Sequence, residues 1–207
     1  MQKLIEAINQ LKNSEVKQLV DSRIAEFKEI RKNENNSLFK ELCFCLLTAN
    51  YSAEGGIKIQ KEVGNGFITL SEVELRDTLK SLGHRFYSAR AAYITLARRH
   101  NKVLKMFMDT LGEYALREWL VKNVKGLGYK EASHFMRNTG YKNVAIIDFH
   151  IIDLLVRHKL IKRPNTLTSK KYLEIEGVLK EIAKQTNLNL AELDFYLWYM
   201  ETGKVLK

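Results

Sequence analysis

Two residues in the middle of this chain have the chemistry of a nucleophile and its base. Lys130 stands two residues after the glycine pair Gly126 and Gly128, and Asp148 follows eighteen residues later. A neutral lysine amine can attack an electrophilic carbon and form a Schiff base, and a carboxylate can accept the proton that is released. An ordinary lysine is almost fully protonated at neutral pH. A catalytic Lys130 therefore needs a site that favours the free amine, and desolvation or a helix dipole would supply it.

The elements around these residues predict a helix-hairpin-helix at about residues 116–140. One amphipathic run precedes the glycines and a second begins at Lys130. We expect both glycines to take positive φ. We also expect the hairpin residues Gly126, Leu127 and Gly128 to bind one DNA phosphate, together with the N-terminus of the next helix. Asp148 stands where a side chain would cap the helix that follows it.

The segment GLGYK followed by IIDFH resembles the GxGxK and VDxH signature of the helix-hairpin-helix (HhH-GPD) DNA glycosylase superfamily, in its bifunctional branch. The short length and the chain end ETGKVLK are most similar to the 8-oxoguanine DNA glycosylase/lyase class of archaea and some bacteria. The resemblance implies that 8-oxoguanine is flipped out of duplex DNA and excised. It further implies β-elimination at the abasic site through a Schiff base on Lys130, with Asp148 as the proton acceptor.

The same resemblance implies a base pocket assembled from distant parts of the chain. We expect Phe86 and Trp198 to hold the purine between two aromatic faces, and the tail ending at Lys207 to complete the contacts to its polar edge. Asn50 would insert near the gap in the DNA. Each also has a structural interpretation: Phe86 as a partly buried loop residue, Trp198 as core above a frayed tail, and Asn50 as a helix C-cap. For His150, a structural hydrogen bond is favoured over catalysis.

Composition points to a polyanionic partner. Lys and Arg number 34 against 24 Asp and Glu, which gives a net charge of +10. A hydrophobic content of 45% is sufficient for a core. The sequence contains neither a membrane-spanning run nor a signal-peptide core. We therefore expect a cytoplasmic monomer that acts on double-stranded DNA and has no membrane partner.

Cofactors are not expected to take part in catalysis. Cys43 and Cys45 lie within an apolar run, where they are predicted to be reduced core residues. Two thiols cannot supply the four ligands of a [4Fe–4S] cluster. The resemblance allows one exception, a monovalent cation held by the carbonyl groups of the hairpin.

Helical periodicity along nearly the whole chain predicts an all-α protein. The run from Leu38 to Thr48 is apolar on every face and is predicted to be the central buried helix, with a break at Gly55-Gly56. Ser71 to Glu74 forms a predicted capping box. We expect residues 1–207 to form one two-lobed unit in which the N-terminal helices pack with the C-terminal ones and the active site occupies the cleft between the lobes.

Two other functions are compatible with these motifs. GxG hairpins also occur in non-catalytic helix-hairpin-helix DNA-binding modules, where Lys130 would contact a phosphate. Phosphate binding does not require Asp148, so that residue favours an enzyme. A glycosylase for a different lesion, such as an oxidised pyrimidine, is the second alternative, and it would differ in the details of the base pocket.

Overall fold

The computed structural model describes residues 1–207, and these form helices without any strand. The all-α prediction is confirmed. None of the helices combines the length and the apolar character needed to cross a bilayer. The elements follow one another in this order: α1 Gln2–Lys12, α2 Val16–Lys32, α3 Asn35–Thr48, α4 Ala53–Val63, α5 Gly66–Thr69, α6 Glu72–Ser81, α7 Tyr87–Ala97, a 3₁₀ segment Arg98–Val103, α8 Leu104–Thr110, α9 Glu113–Asn123, α10 Tyr129–Asn138, α11 Phe149–Arg157, α12 Ser169–Gln185 and α13 Leu190–Thr202.

The protein has two hydrophobic cores, and the helix-hairpin-helix packs into the larger one. The larger has 27 buried residues and is built around α3, which confirms the prediction of a central buried helix from Leu38 to Thr48. The smaller has 20 buried residues, contributed by α1 and α2 at one end of the chain and by α11 to α13 at the other. Ala132, Phe135 and Met136 of α10 belong to the larger core. The second helix of the hairpin is thereby fixed in the first core.

The predicted break at Gly55-Gly56 is wrong, because both glycines lie inside α4. This helix begins after Ser52, whose side chain accepts the N–H of Gly55 at 3.1 Å. A Cβ atom on Gly56 would lie 2.7 Å from Cγ2 of Thr48. Gly56 therefore permits the close approach of α4 to α3, whereas a Cβ atom on Gly55 would meet the Tyr51 ring at 2.5 Å.

A buried ion pair joins the hairpin to the second core. Arg117 on α9 pairs with Glu176 on α12, with Nη2 and Oε1 3.1 Å apart. The same carboxylate accepts the main-chain N–H of Ala145 at 3.0 Å. The phenol of Tyr172 donates to the Ala145 carbonyl at 2.7 Å and accepts the N–H of Ile147 at 3.1 Å. Side chains of α12 therefore form hydrogen bonds with the main-chain groups of the extended segment that leads to Asp148.

Candidate active site

The hairpin turns at Gly126, which has a φ of 94°. A Cβ atom there would lie 2.4 Å from the ring of Tyr93, so both the backbone and the packing require glycine. The prediction of positive φ is wrong for Gly128, whose φ of −94° is open to any residue. Its N–H donates instead to Glu131 Oε2 at 3.1 Å.

Leu127 fixes the hairpin to the larger core. Its side chain is only 5% exposed, and its N–H donates to the Val124 carbonyl at 3.1 Å. The amides of Leu127 and Gly128 are therefore both engaged within the protein. The main-chain amides left for the predicted phosphate contact are those of Gly126 and of the first turn of α10. That contact stays a prediction.

Lys130 and Asp148 line one cleft of about 900 Å³. Lys130 is the second residue of α10 and is half-buried, so its amine lies near the positive end of the helix dipole. Asp148 is the N-cap of α11, and its Oδ1 accepts the N–H of Ile151 at 3.0 Å, as predicted. The cap fixes the carboxylate while its remaining lone pairs stay available.

Three further predicted residues line this cleft: Asn50, Trp198 and Lys207. Asn50 is exposed and has a φ of 59°, a conformation that Asn tolerates better than most residues. Trp198, on α13, meets the ring edge of His150 with the two centroids 5.0 Å apart. His150 also lines the cleft.

Phe86 does not line the cleft with them. Its ring lies under the guanidinium groups of Arg85 and Arg90, at 5.0 and 5.8 Å from the ring centroid. Its N–H donates to Nδ1 of the buried His84 at 3.1 Å, which fixes the turn before α7. Arg85, the preceding residue, lines the cleft instead. The expected pairing of Phe86 with Trp198 around a base is thus absent from this arrangement.

The last residues of the chain fold back into the cleft rather than fray. Lys207 Nζ lies 2.7 Å from Glu41 Oε2 and 2.5 Å from Gln60 Oε1. The Lys207 ammonium also lies 4.5 Å from the ring centroid of Phe44. Nearer the cleft mouth, Lys204 pairs with Glu54 on α4. The tail therefore joins the end of α13 to α3 and α4.

A buried polar network reaches the cleft through Arg137 and Asp194, and the sequence did not predict it. Glu41, which pairs with Lys207, also accepts from Asn138 Nδ2 at 2.7 Å. Asn138 Oδ1 accepts from Arg137 Nη2 at 2.9 Å, and Arg137 pairs with Asp194. Burial raises the pKa of Asp194, Arg137 lowers it, and the negative charge of Asp148 raises it. The available signals were two charged residues within buried, apolar helices, Glu41 in α3 and Asp194 in α13.

The chain shares its all-α fold with endonuclease III. A trapped endonuclease III–DNA intermediate, at 16% identity, aligns over 89% of this chain and 85% of its own with a TM-score of 0.60. At that identity the likeness concerns the fold alone.

More specific relationships follow from closer relatives. The family model described as 8-oxoguanine DNA glycosylase matches residues 20–188. The 8-oxoguanine DNA glycosylase/AP lyase of Methanocaldococcus jannaschii is 56% identical over 205 residues, which cover 99% of each chain. The crystal structure of the glycosylase/lyase from that organism, in complex with a 15mer DNA containing 8-oxoguanine, has a TM-score of 0.97 at 55% identity and covers 99% of this chain and 100% of its own. The chain belongs to the 8-oxoguanine DNA glycosylase family.

Proposed function

We propose that this protein is a bifunctional DNA repair enzyme that excises 8-oxoguanine from duplex DNA and then cleaves the strand at the abasic site. The observation that carries the proposal is the placement of Lys130 and Asp148 in one cleft beside the hairpin. Family membership and the activity named for the relatives support the substrate. Asp148 also argues against a simple DNA-binding module, because phosphate capture does not require a carboxylate.

In the first step, the neutral amine of Lys130 attacks C1′ of the damaged nucleotide. The bond from C1′ to the base breaks, its electron pair leaves with the base, and the base takes up a proton. The Lys130 nitrogen, now positively charged, loses a proton to Asp148. The carboxylate also stabilises positive charge on the sugar as the base departs.

In the second step, the C1′–O4′ bond breaks, O4′ takes the proton held by Asp148, and a Schiff base remains between C1′ and Lys130. The Schiff base makes the C2′ proton acidic, and a base removes it. The C3′–O3′ bond then breaks, and the phosphate leaves with the electron pair. Water hydrolyses the Schiff base and regenerates the Lys130 amine.

The rest of the cleft would hold the flipped base. Trp198 would offer an aromatic face, and the tail ending at Lys207, which also lines the cleft, would offer polar groups. Phe86 has no part in this proposal, since it lies outside the cleft lining. Asn50, which is exposed and lines the cleft, would contact DNA near the nucleotide that has left the duplex.

The hairpin could also hold a monovalent cation through the main-chain carbonyls of residues 124–128. These oxygens are hard donors, and the Val124 carbonyl keeps a second lone pair after accepting from Leu127. A bound cation would supply positive charge for the phosphate. The proposed chemical steps use protein groups and no metal or cluster. We further propose that the enzyme acts as a cytoplasmic monomer.

Duplexes with one labelled strand test the proposal. We expect cleavage of a duplex with 8-oxoguanine at the lesion, with the β-elimination product at the 3′ end, and no cleavage of a matched guanine duplex. A duplex with an oxidised pyrimidine distinguishes the alternative lesion. Binding without product would indicate a DNA-binding module and contradict the proposal.

A further inference from the structure

His134 lies in the cleft without a well-formed hydrogen bond to either ring nitrogen. It is on α10, one turn after Lys130, and its residue is 6% exposed. Neither Nδ1 nor Nε2 has a partner of good hydrogen-bond geometry, and the one weak partner of the ring is the main chain of Lys207. At least one ring nitrogen is therefore left over. Buried polar atoms in proteins are nearly always hydrogen-bonded, and leaving them without a partner is unfavourable.

His134 is exceptional among the buried polar side chains. Eight buried side-chain nitrogen and oxygen atoms have no partner, and His134 is the one residue that contributes two of them. The arginines and the asparagine in this set make hydrogen bonds through their other atoms. His134 and Thr95 have no other polar side-chain atom, and of these two only His134 lines the cleft.

The surroundings of His134 keep its ring neutral. Burial is the main cause that lowers its pKa well below the usual value, and the positive charges of Arg137, Lys130 and Lys207 add to this effect. A weak hydrogen bond between the ring and the main chain of Lys207 raises the pKa and is the smallest of these effects. On the side of α3, the neighbour is the apolar ring of Phe44, at 5.5 Å between centroids. A neutral imidazole offers one donor and one acceptor.

We infer that His134 is a base-contacting residue, whose unsatisfied ring nitrogen forms a hydrogen bond with the polar edge of the flipped purine. The inference rests on the proposed function and deepens it. The lesion carries carbonyl acceptors and N–H donors along its edge. Because a neutral imidazole can present either a donor or an acceptor through its two tautomers, it can satisfy either kind of group.

The contact concerns the base and not the sugar. An abasic site has lost the base, so its cleavage by Lys130 does not use His134. Comparing 8-oxoguanine excision with abasic-site cleavage therefore distinguishes two roles for His134. A base contact affects excision alone, whereas a role in activating Lys130, one turn away on the same helix, affects both reactions. A structural role is distinguished separately, because removal of a structural hydrogen bond would lower thermal stability.

His134→Leu removes both ring nitrogens and keeps an apolar side chain of similar reach. We expect kcat/KM for 8-oxoguanine excision to fall about 10- to 100-fold, as for loss of one hydrogen bond to a buried polar group. Cleavage of a duplex with a preformed abasic site should stay within about twofold of the parent. The melting temperature should not fall, because no buried nitrogen is left unsatisfied. His134→Gln, which keeps a donor and an acceptor, should recover part of the excision rate.

Three results would overturn the inference. Undiminished excision by His134→Leu would exclude a base contact. An equal loss on the abasic duplex would indicate an effect on Lys130. A lowered melting temperature that His134→Gln restores without restoring excision would indicate that the ring holds the tail. Failure of the proposed function is a separate observation, since it appears as an inactive parent on 8-oxoguanine before any variant is compared.

Discussion

The pair of Lys207 and Glu41 gives the sharpest stability prediction. In this pair the Lys207 side chain is 16% exposed and that of Glu41 is 4% exposed. Lys207→Met removes the ammonium but keeps an unbranched apolar stem over Phe44 and the terminal carboxylate. Glu41 then keeps the N–H donors of Asn138 and Gln60, at 2.7 and 3.2 Å, without a cation.

The expected loss follows from the burial of the Glu41 carboxylate. Removing one partner of a buried ion pair costs about 3–5 kcal/mol, and the two remaining donors favour the lower value. For a chain of this size, about 3 kcal/mol corresponds to a fall of roughly 6–12 °C in melting temperature. Thermal unfolding followed by circular dichroism measures it.

The control is the double variant Lys207→Met with Glu41→Gln, which removes both charges. It should recover most of the lost stability, because the glutamine still accepts from Asn138. Excision of 8-oxoguanine should stay low in the double variant, since the tail has lost its anchor. If the free energy of unfolding of Lys207→Met lay within about 0.5 kcal/mol of the parent value, the reasoning would be refuted. The ion pair would then contribute nothing to stability.

Asp148→Asn should lower base removal by about 10²–10⁴-fold while the fold persists, since Asn also caps helices; an unchanged rate would exclude catalysis by Asp148. Affinity for DNA should fall roughly a thousandfold between 50 and 200 mM salt if about six phosphates are neutralised, and a flat titration would contradict a phosphate-led complex. The unfolded state protonates His134 near its usual pKa and the folded state does not. Below about pH 6.5 the parent should therefore lose up to about 1.4 kcal/mol per pH unit relative to His134→Leu, and parallel unfolding curves would contradict a buried neutral ring. Excision should persist in EDTA, and its loss would implicate a divalent metal.

Local signals in the sequence predicted the framework of the site well. The Ser71 capping box and the Asp148 cap both occur where the pattern indicated. Each depends on residues only a few positions apart, so the sequence carries the whole signal. The sequence also predicted the hairpin at Gly126, where a positive φ and the nearby Tyr93 ring both require glycine.

Long-range packing accounts for what the sequence did not predict. Gly55 and Gly56 have the composition of a break, but both lie inside α4, and Gly56 packs against Thr48 and Phe44 of α3. The orientation of Phe86 depends on Arg90, and its neighbour Arg85 lines the cleft in its place. Glu41 and Lys207 are 166 positions apart, and no periodicity relates them.

The contacts of His134 were hidden for a different reason. On sequence it is one polar residue in the amphipathic α10, compatible with an ordinary buried histidine. Only the positions of Phe44 and the tail show that its nitrogens lack well-formed hydrogen bonds. For the chain end, the sequence was compatible with a frayed tail and with a tail in the cleft. The tail lies in the cleft because Glu41 on α3 and Gln60 on α4 accept hydrogen bonds from the Lys207 ammonium.

The central claim is that Lys130 is the nucleophile, and borohydride trapping tests it most directly. The parent, mixed with an 8-oxoguanine duplex and borohydride, should give a covalent adduct whose peptide map places the DNA on Lys130. Lys130→Gln should bind the same duplex and give no adduct. An adduct on another residue, or an undiminished yield with Lys130→Gln, would contradict the account.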